Sequence, residues 1–235
     1  MKRFAIILCI LVSALSCGQQ SDNPGDFTRE ELSLIGNASD IMRVLTIEDS
    51  ADSSILRTKS IDLSARALMS DDYSRLERLM VATVTDPSQD GVGIAGPQVG
   101  LNRRVVAVQR LDKNGAPFEV YPNIRIVWSS FEKAPGPEGC LSVPGRRGKV
   151  LRSSEIVVEY TDLEALREGY VDGEYINIDG CIGCPYSEDP DSDGCIGCKK
   201  GDLPTKRDTV KGFTAVIFQH EIDHLDGILY IDRLD

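Results

Sequence analysis

The chain has 235 residues, of which 41% are hydrophobic, and its 37 acidic and 26 basic side chains give a formal net charge of −11. This length and composition are typical of one soluble globular domain with short attachments. The acidic balance and the lack of a basic stripe in the sequence argue against a nucleic-acid surface, so we expect no nucleic acid among the partners. We also expect a monomer.

Residues 1–17 have the pattern of an export signal. Lys2 and Arg3 precede the apolar run 4–15, which ends just before Cys17. The run is shorter than the ~20 apolar residues that a membrane span needs. A cysteine at the cleavage position resembles the bacterial lipobox, so we expect a lipid anchor at Cys17 and an exported, membrane-anchored bacterial lipoprotein. A plain cleaved signal and an uncleaved anchor are the alternatives, and a chain without a working signal would be cytoplasmic.

The sequence then divides into a polar segment and a globular domain. Residues 18–40 are rich in Asp, Asn, Gly and Gln, which predicts a tether between the membrane and the domain. Residues 41–235 are expected to form the domain, with an extended piece at Ile55–Arg57. Residues 71–84 carry apolar side chains at helical spacing behind two aspartates, which predicts a helix packed on the core.

A glycine-rich stretch and three strands are expected next. The stretch 91–100 contains Pro97 and lacks the spacing of a dinucleotide fingerprint, so it predicts close backbone approach and not a nucleotide site. Strands are predicted over residues 104–109, 120–127 and 155–161. Pro122 places the second of them at a sheet edge. Residues 228–231 are expected to end the chain as a short strand or an extended tail.

The last predicted helix, residues 210–225, carries both histidines of the chain. His220 and His224 are four residues apart, so they lie one turn apart on the same helical face. Two imidazoles placed in this way can bind one divalent metal, and Glu221 between them can act as a general base. The alternative is a surface helix that carries two histidines without a metal.

Two histidines leave a catalytic metal one protein ligand short, because such sites use three protein ligands and keep one position for water. Cys140 is the lone cysteine of the globular part and lies in the tight, glycine-containing stretch 137–144. It is either a thiolate ligand or a buried structural thiol.

A cysteine-rich insertion is predicted at about residues 172–205. It repeats Asp-Gly-Cys-Ile-Gly-Cys and has few apolar residues, so it cannot build a core of its own. Its cysteines are Cys181, Cys184, Cys195 and Cys198. They could form two disulfides or hold a second zinc. Acidic residues between the repeats resemble the start of a calcium loop, but Lys200 stands where such a loop needs a glutamate.

Three motifs in order resemble the peptide deformylase family. They are GVGIAGPQ at 91–98, EGCLS at 138–142 and QHEIDH at 219–224. The resemblance covers residues 41–235 apart from the insertion. It implies an α+β fold in which antiparallel β-sheets pack around a central HExxH metal-binding helix. It also implies a metal-dependent hydrolase that removes the N-formyl group from N-formylmethionyl peptides.

The resemblance implies Cys140, His220 and His224 as the metal ligands. Iron(II) is the expected ion, with zinc, nickel or cobalt able to replace it. A metal-bound hydroxide would attack the formyl carbon while Glu221 serves as the general base.

The same resemblance implies residues that stabilise the transition state and bind the substrate. The Gln98 side chain and the Leu141 backbone N–H would donate to the oxyanion. Gly91, Gly93 and Gly139 would let the substrate backbone lie alongside the chain as an added strand.

Five further polar residues lie within the motifs or shortly after the second one. Glu138 and Gln219 are expected to orient the metal ligands through hydrogen bonds, without contacting the metal themselves. Asp223 is expected to be structural. Arg147 and Arg152 hold either Glu138 or the carboxylate side of the peptide, or else are simply solvated.

The expected location conflicts with the implied activity. Family members act on nascent chains in the cytosol, whereas a lipoprotein faces away from the ribosome. Free formyl peptides outside the cytoplasm are therefore the expected substrate if the signal is real. Two alternatives are an amidase of altered substrate on the same scaffold and a non-catalytic surface lipoprotein that serves as a binding module. The intact Gln98, Glu221 and ligand set argue against the binding module.

Overall fold

The computed structural model describes residues 23–171, 174–177, 199–200 and 202–234. The α-helices of this part are α1 (Arg29–Asn37), α2 (Ser50–Leu56), α3 (Ala65–Leu68), α4 (Asp71–Thr85), α5 (Leu163–Glu168) and α6 (Gly212–Leu225). Its strands are β1 (Gly93–Ala95), β2 (Val105–Gln109), β3 (Phe118–Pro122), β4 (Arg125–Ser129), β5 (Lys133–Cys140), β6 (Val143–Ser153), β7 (Glu155–Thr161), β8 (Tyr170–Val171), β9 (Glu174–Asn177), β10 (Lys199–Lys200) and β11 (Thr205–Lys211). None of the described helices has the length and apolar character that crossing a bilayer requires. Cys17 and the four cysteines of the insertion lie outside the described residues.

The strands pair in four antiparallel sheets, in the orders β1-β2-β3, β11-β7-β4, β5-β6 and β10-β9-β8. In the first sheet Ala107 lies opposite Ile94 on one side and Val120 on the other. The β5-β6 pair is a long hairpin in which Cys140 lies opposite Val143, next to a shift of register. Helices and antiparallel sheets together make an α+β fold, which confirms the expected class.

Helix α6 lies at the centre of the molecule. Nearly all of its residues from Thr214 to Leu225 are buried. One part of α6 packs with strand residues in a cluster that includes Val106, Val108 and Ile156. A helix that is buried on nearly every side cannot be a surface helix that carries its histidines by chance. The expected central helix is therefore confirmed.

Strand β2 separates the two main clusters of the core. Val106 and Val108 face the α6 cluster, whereas Val105 and Ala107 pack in the cluster that contains the apolar face of α4. Because successive side chains of a strand point to opposite faces, a strand buried on both faces reads as an unbroken apolar run. The predicted helix over residues 71–84 is confirmed, and its buried face includes Leu76 and Met80.

Several predicted elements were wrong in type or extent. The strand predicted over residues 120–127 is broken into β3 and β4, because Asn123 adopts a φ of 55° between them. Ile55 and Leu56 end helix α2 and are not extended. Residues Tyr230–Arg233 form a 3-10 helix where a strand or extended tail was expected.

The predicted tether is also wrong for the part that the structure describes, residues 23–40. Helix α1 begins with a capping box between Thr28 and Glu31, and its Ile35 is fully buried. The buried guanidinium of Arg103 donates to both carboxylate oxygens of Glu31 and to the carbonyl oxygens of Pro24 and Asp26. Residues 23–40 therefore pack against the domain through the buried guanidinium of Arg103, a contact that the composition of the segment does not predict.

Candidate active site

Cys140, His220 and His224 come together where the β5-β6 hairpin meets α6. Their candidate ligand atoms all lie within 4.8 Å of one another, and Cys140 Sγ is 3.2 Å from His224 Nε2. The two histidines are buried and Cys140 is partly exposed. The helix supplies the histidines from consecutive turns, and the hairpin delivers the cysteine from 80 residues earlier in the chain. A thiolate and two imidazoles are a ligand set that a catalytic divalent metal uses.

Glu138 and Arg152 fix the orientation of His220. His220 Nδ1 is 2.8 Å from Glu138 Oε2, which leaves Nε2 as the ring atom free for a metal. Arg152 donates to both oxygens of Glu138 and also to Asp223 Oδ2. Burial opposes ionisation of Glu138, but the hydrogen bonds from His220 and Arg152 outweigh it and hold its pKa at about 2. Glu138 is therefore an anion that aligns a candidate metal ligand, the geometry that a carboxylate–histidine–metal arrangement uses.

The two histidines of the triad have pKa values that are shifted in opposite directions. Burial disfavours protonation of His220, but the Cys140 thiol and the Glu138 carboxylate beside it raise its pKa to about 10. His224 is instead held neutral, because burial lowers its pKa well below the usual value. Its Nδ1 is buried and finds no partner in the described part of the chain. One thiol and two imidazoles, with their candidate ligand atoms within 4.8 Å of one another, are a donor set that fits a divalent metal.

Glu221 lies fully enclosed beside the triad. Burial raises its pKa to about 7, and its Oε2 has no hydrogen-bond partner among the residues described. A Cβ built on Gly93 would lie 2.5 Å from Glu221 Oε1, so this position requires glycine for the carboxylate to fit. A carboxyl group with a pKa near the working pH, and with an oxygen left free, is suited to accept and return a proton.

Gln98 is aimed at the same point from the short 3-10 helix Gly96–Val99. Its Oε1 accepts from the backbone N–H of Ala95, which fixes the amide, and its Nε2 lies 3.6 Å from Cys140 Sγ and 3.2 Å from Ser142 Oγ. Leu141 follows Cys140 and lines the same cleft. The structure thus brings Gln98 and Leu141 beside the triad, as the sequence predicted.

The three glycines predicted to bind substrate differ in what surrounds them. Gly93 of β1 and Gly139 of β5 both line the cleft, and a Cβ at Gly139 would make ordinary contact with Arg147. A Cβ at Gly91 would lie 2.8 Å from Val84 Cγ2, so Gly91 is also needed for packing against α4.

Gln219 does not orient a ligand as expected. Its side-chain amide bonds to the backbone N–H and carbonyl of Ser153 and to the carbonyl of Ala215. Consecutive helical residues are rotated by about 100°, so the residue before His220 points toward the β6-β7 connection and not toward the triad. Gln219 therefore attaches α6 to the sheet.

Two residues near His220 were missed or left undecided by the sequence. Arg152 binds Glu138, which is one of the alternatives that the sequence left open for Arg152. Asp223 has the structural role expected of it, because it accepts hydrogen bonds from Arg152 and Arg233. Tyr230 stacks on His220, with ring centroids 6.0 Å apart and planes at 24°. No spacing pattern predicts this contact, because Tyr230 follows the helix in an irregular segment.

A fold of antiparallel sheets around a buried HExxH helix, with a thiol and a free glutamate beside the histidines, defines a metal-dependent hydrolase. Comparison with known proteins agrees. The polypeptide deformylase family model matches residues 41–171 and 199–235. The peptide deformylase of Leptospira biflexa is 32% identical over 187 residues, which span 77% of this chain and 82% of that protein. That of Desulforudis audaxviator is 35% identical over 160 residues, or 68% of this chain and 77% of that protein.

Solved structures show the same likeness. The Met-Ala-Ser-bound crystal structure of the class I type b peptide deformylase from Acinetobacter baumannii covers 84% of this chain and 100% of its own, with a TM-score of 0.59 and 29% identity. The chain therefore belongs to the polypeptide deformylase family. It is a peptide deformylase, an enzyme that removes the formyl group from peptides in a metal-dependent reaction, so the family and enzyme class predicted from the three motifs are confirmed.

Proposed function

We propose that this chain hydrolyses N-formylmethionyl peptides at the Cys140–His220–His224 triad. The observation that carries the proposal is the placement of three candidate ligand atoms within 4.8 Å of one another, beside the free carboxylate of Glu221. The triad borders a cleft of about 730 Å³ that His220 and Glu221 help to line. This volume is in the range of clefts that bind small ligands.

Cys140 Sγ and the Nε2 atoms of the two histidines would hold one divalent ion. The chemistry that such an ion supplies when bound is Lewis-acid activation of water and polarisation of the formyl carbonyl. We propose iron(II) as the native ion, with nickel, cobalt or zinc able to replace it. Metal analysis of the anaerobically purified protein tests this, and full occupancy by zinc in an active preparation would replace the iron assignment.

Proton transfer in the reaction is assigned to Glu221. Its buried carboxylate takes a proton from the attacking water and later delivers one to the leaving amine nitrogen. The Gln98 Nε2 group and the Leu141 backbone N–H donate to the oxygen that gains charge as the formyl carbon becomes tetrahedral. The fixed amide of Gln98 needs no reorganisation for this role, because Oε1 is already bound to the Ala95 N–H.

The two walls of the cleft are suited to an extended peptide. Gly91, Gly93 and Gly139 present backbone without side chains, so a substrate can pair alongside them as an added strand. Phe213 and Val216 of α6 give the cleft an apolar wall, which is suited to a methionine side chain.

The activity test uses the full-length chain, purified in nonionic detergent and loaded anaerobically with iron(II). Formate release from formyl-Met-Ala-Ser is expected, and Glu221→Gln is expected to lower kcat by about 10²–10⁴-fold while binding the same amount of metal. Glu168→Gln, an exposed glutamate at the end of α5, is the control. A metal-loaded protein that releases no formate would overturn the proposal. Hydrolysis of an acetyl but not a formyl peptide would favour the amidase alternative.

We further propose that the enzyme is an exported lipoprotein, anchored through Cys17 and acting as a monomer on formyl peptides outside the cytoplasm. The support is the basic start, the short apolar run and the cysteine that follows it. Radiolabelled palmitate should enter the wild-type chain and Cys9→Ser, whose cysteine lies inside the apolar run, but not Cys17→Ser. Labelling of Cys17→Ser would refute the anchor, and light scattering of the detergent-solubilised chain tests the monomer.

A further inference from the structure

Two adjacent arginines form one lip of the catalytic cleft. Arg146 and Arg147 lie in strand β6, and both are exposed. Both line the cleft that His220 and Glu221 also line. They stand on the hairpin that also carries Cys140, on the wall that includes Gly139.

Neither arginine has a carboxylate partner in the part of the chain that the structure describes. Within the described ranges, Arg146 and Arg147 make no ion pair and no hydrogen bond, whereas buried Arg110 and Arg152 each contact two or more carboxylates. The chain carries a formal net charge of −11, so carboxylates are plentiful.

The position of Arg147 places its charge along the substrate's path. Arg147 lies opposite Gly139 in the hairpin, and Gly139 directly precedes Cys140. The arginine stem lies across the glycine, because a Cβ built on Gly139 would be 3.5 Å from Arg147 Cγ and 3.9 Å from its Nε. A peptide that pairs with this wall therefore passes directly beside the guanidinium.

The other charged groups of the cleft do not cancel this lip. Glu138 is bound by Arg152 and His220, and Glu221 is buried. Asp90 also lines the cleft, from the loop that precedes β1. The lining of the cleft therefore carries two arginines on the hairpin and the carboxylate of Asp90 on that loop.

We propose that Arg146 and Arg147 select formyl peptides that carry a carboxylate within the few residues after the formylmethionine. The carboxylate is either the C-terminus of a short free peptide or an Asp or Glu side chain. This inference rests on the proposed deformylation of formyl peptides and adds a substrate class to it. Guanidinium groups bind carboxylates through paired charge-assisted hydrogen bonds, and a positive lip also attracts anionic substrates before contact.

The test compares kcat/KM for four peptides with the full-length, iron-loaded chain. The first pair is formyl-Met-Ala-Ser as free acid and as C-terminal amide. The second pair is formyl-Met-Ala-Asp-amide and formyl-Met-Ala-Asn-amide. A preference of ~10-fold for the carboxylate is expected in at least one pair at low salt, shrinking as salt is added. The pair that shows it identifies which carboxylate source is recognised.

Charge reversal supplies the decisive comparison. The double variant Arg146→Glu and Arg147→Glu should lose or invert the carboxylate preference, whereas Lys149→Glu, an exposed cation two positions along the same strand, should retain it. An equal rate for charged and neutral peptides, or a preference unchanged by the double variant, overturns this inference and leaves deformylation standing. No formate from any of the four peptides overturns the proposed function itself.

Discussion

Arg152→Leu should destabilise the protein strongly, although the arginine touches neither substrate nor a metal ligand. Arg152 is 5% exposed and lies between two buried carboxylates, with Nε 2.7 Å from Glu138 Oε1 and Nη1 2.6 Å from Asp223 Oδ2. Removing one partner of a buried ion pair costs about 3–5 kcal/mol, because the remaining charge is left without compensation. The pKa of Glu138 points in the same direction, because the hydrogen bonds from His220 and Arg152 together lower it to about 2.

The sign of the pH dependence follows from the same pKa. The folded state holds the pKa of Glu138 below its unfolded value, so this stabilisation is complete above pH 4.5 and is lost as the pH falls toward 2. The difference in unfolding free energy between wild type and Arg152→Leu should therefore be largest near neutral pH and should shrink across that window.

Urea unfolding followed by circular dichroism measures the effect, and competition with a chelator measures metal affinity. Metal affinity should fall by about 10–100-fold, because Glu138 no longer fixes His220. The matched control is Arg207→Leu. Arg207 Nε lies 2.7 Å from Glu159 Oε2, but its side chain is 67% exposed, so its loss should cost no more than about 1 kcal/mol. The reasoning would be refuted if Arg152→Leu lowered the free energy of unfolding no more than Arg207→Leu does, or if its effect did not change with pH.

Three further variants test other parts of the site and fold. Gly93→Ala places a Cβ 2.5 Å from Glu221 Oε1, so kcat should fall by about 10²-fold or more with metal content unchanged. Gly36→Ala, where a Cβ meets nothing within 4 Å, should retain activity, and equal kcat for the two would contradict the displacement of the base. Gln98→Ala should lower kcat by about 10²–10³-fold with a smaller change in KM, and a change confined to KM would count against an oxyanion role. Arg103→Ala should release residues 23–40, so limited proteolysis there should accelerate, and unchanged cleavage would show that other contacts hold the segment.

Local spacing in the sequence was sufficient for the parts of the site that lie on one regular element. The four-residue interval between His220 and His224 predicts one helical face by itself, since helix geometry repeats every 3.6 residues. The apolar face of α4 follows from the same period, and the unbroken apolar run of β2 matches a strand buried on both sides. The link from these histidines to Cys140 and Gln98 came from the order of three motifs and not from any distance that a sequence encodes.

Contacts between distant segments required the tertiary structure. Arg152 and Glu138 are 14 residues apart, yet they meet because they lie on the two strands of one hairpin, and that hairpin carries both to His220. Gln219 adjoins the candidate ligand His220 in sequence but points elsewhere, because each helical step turns the side chain by about 100°.

A contact between distant segments also explains why the tether prediction was wrong for residues 23–40. Its polar composition resembles a tether, but a buried charge supplied by Arg103, more than 70 residues away, holds it to the domain. The sequence by itself therefore determined the chemistry that the chain carries: the histidine pair, the glutamate, the thiol and the amide. Only the fold decided which charged side chains would be buried together. Which charged side chains are buried together depends on which surfaces exclude water in the folded protein, and no local sequence pattern encodes that.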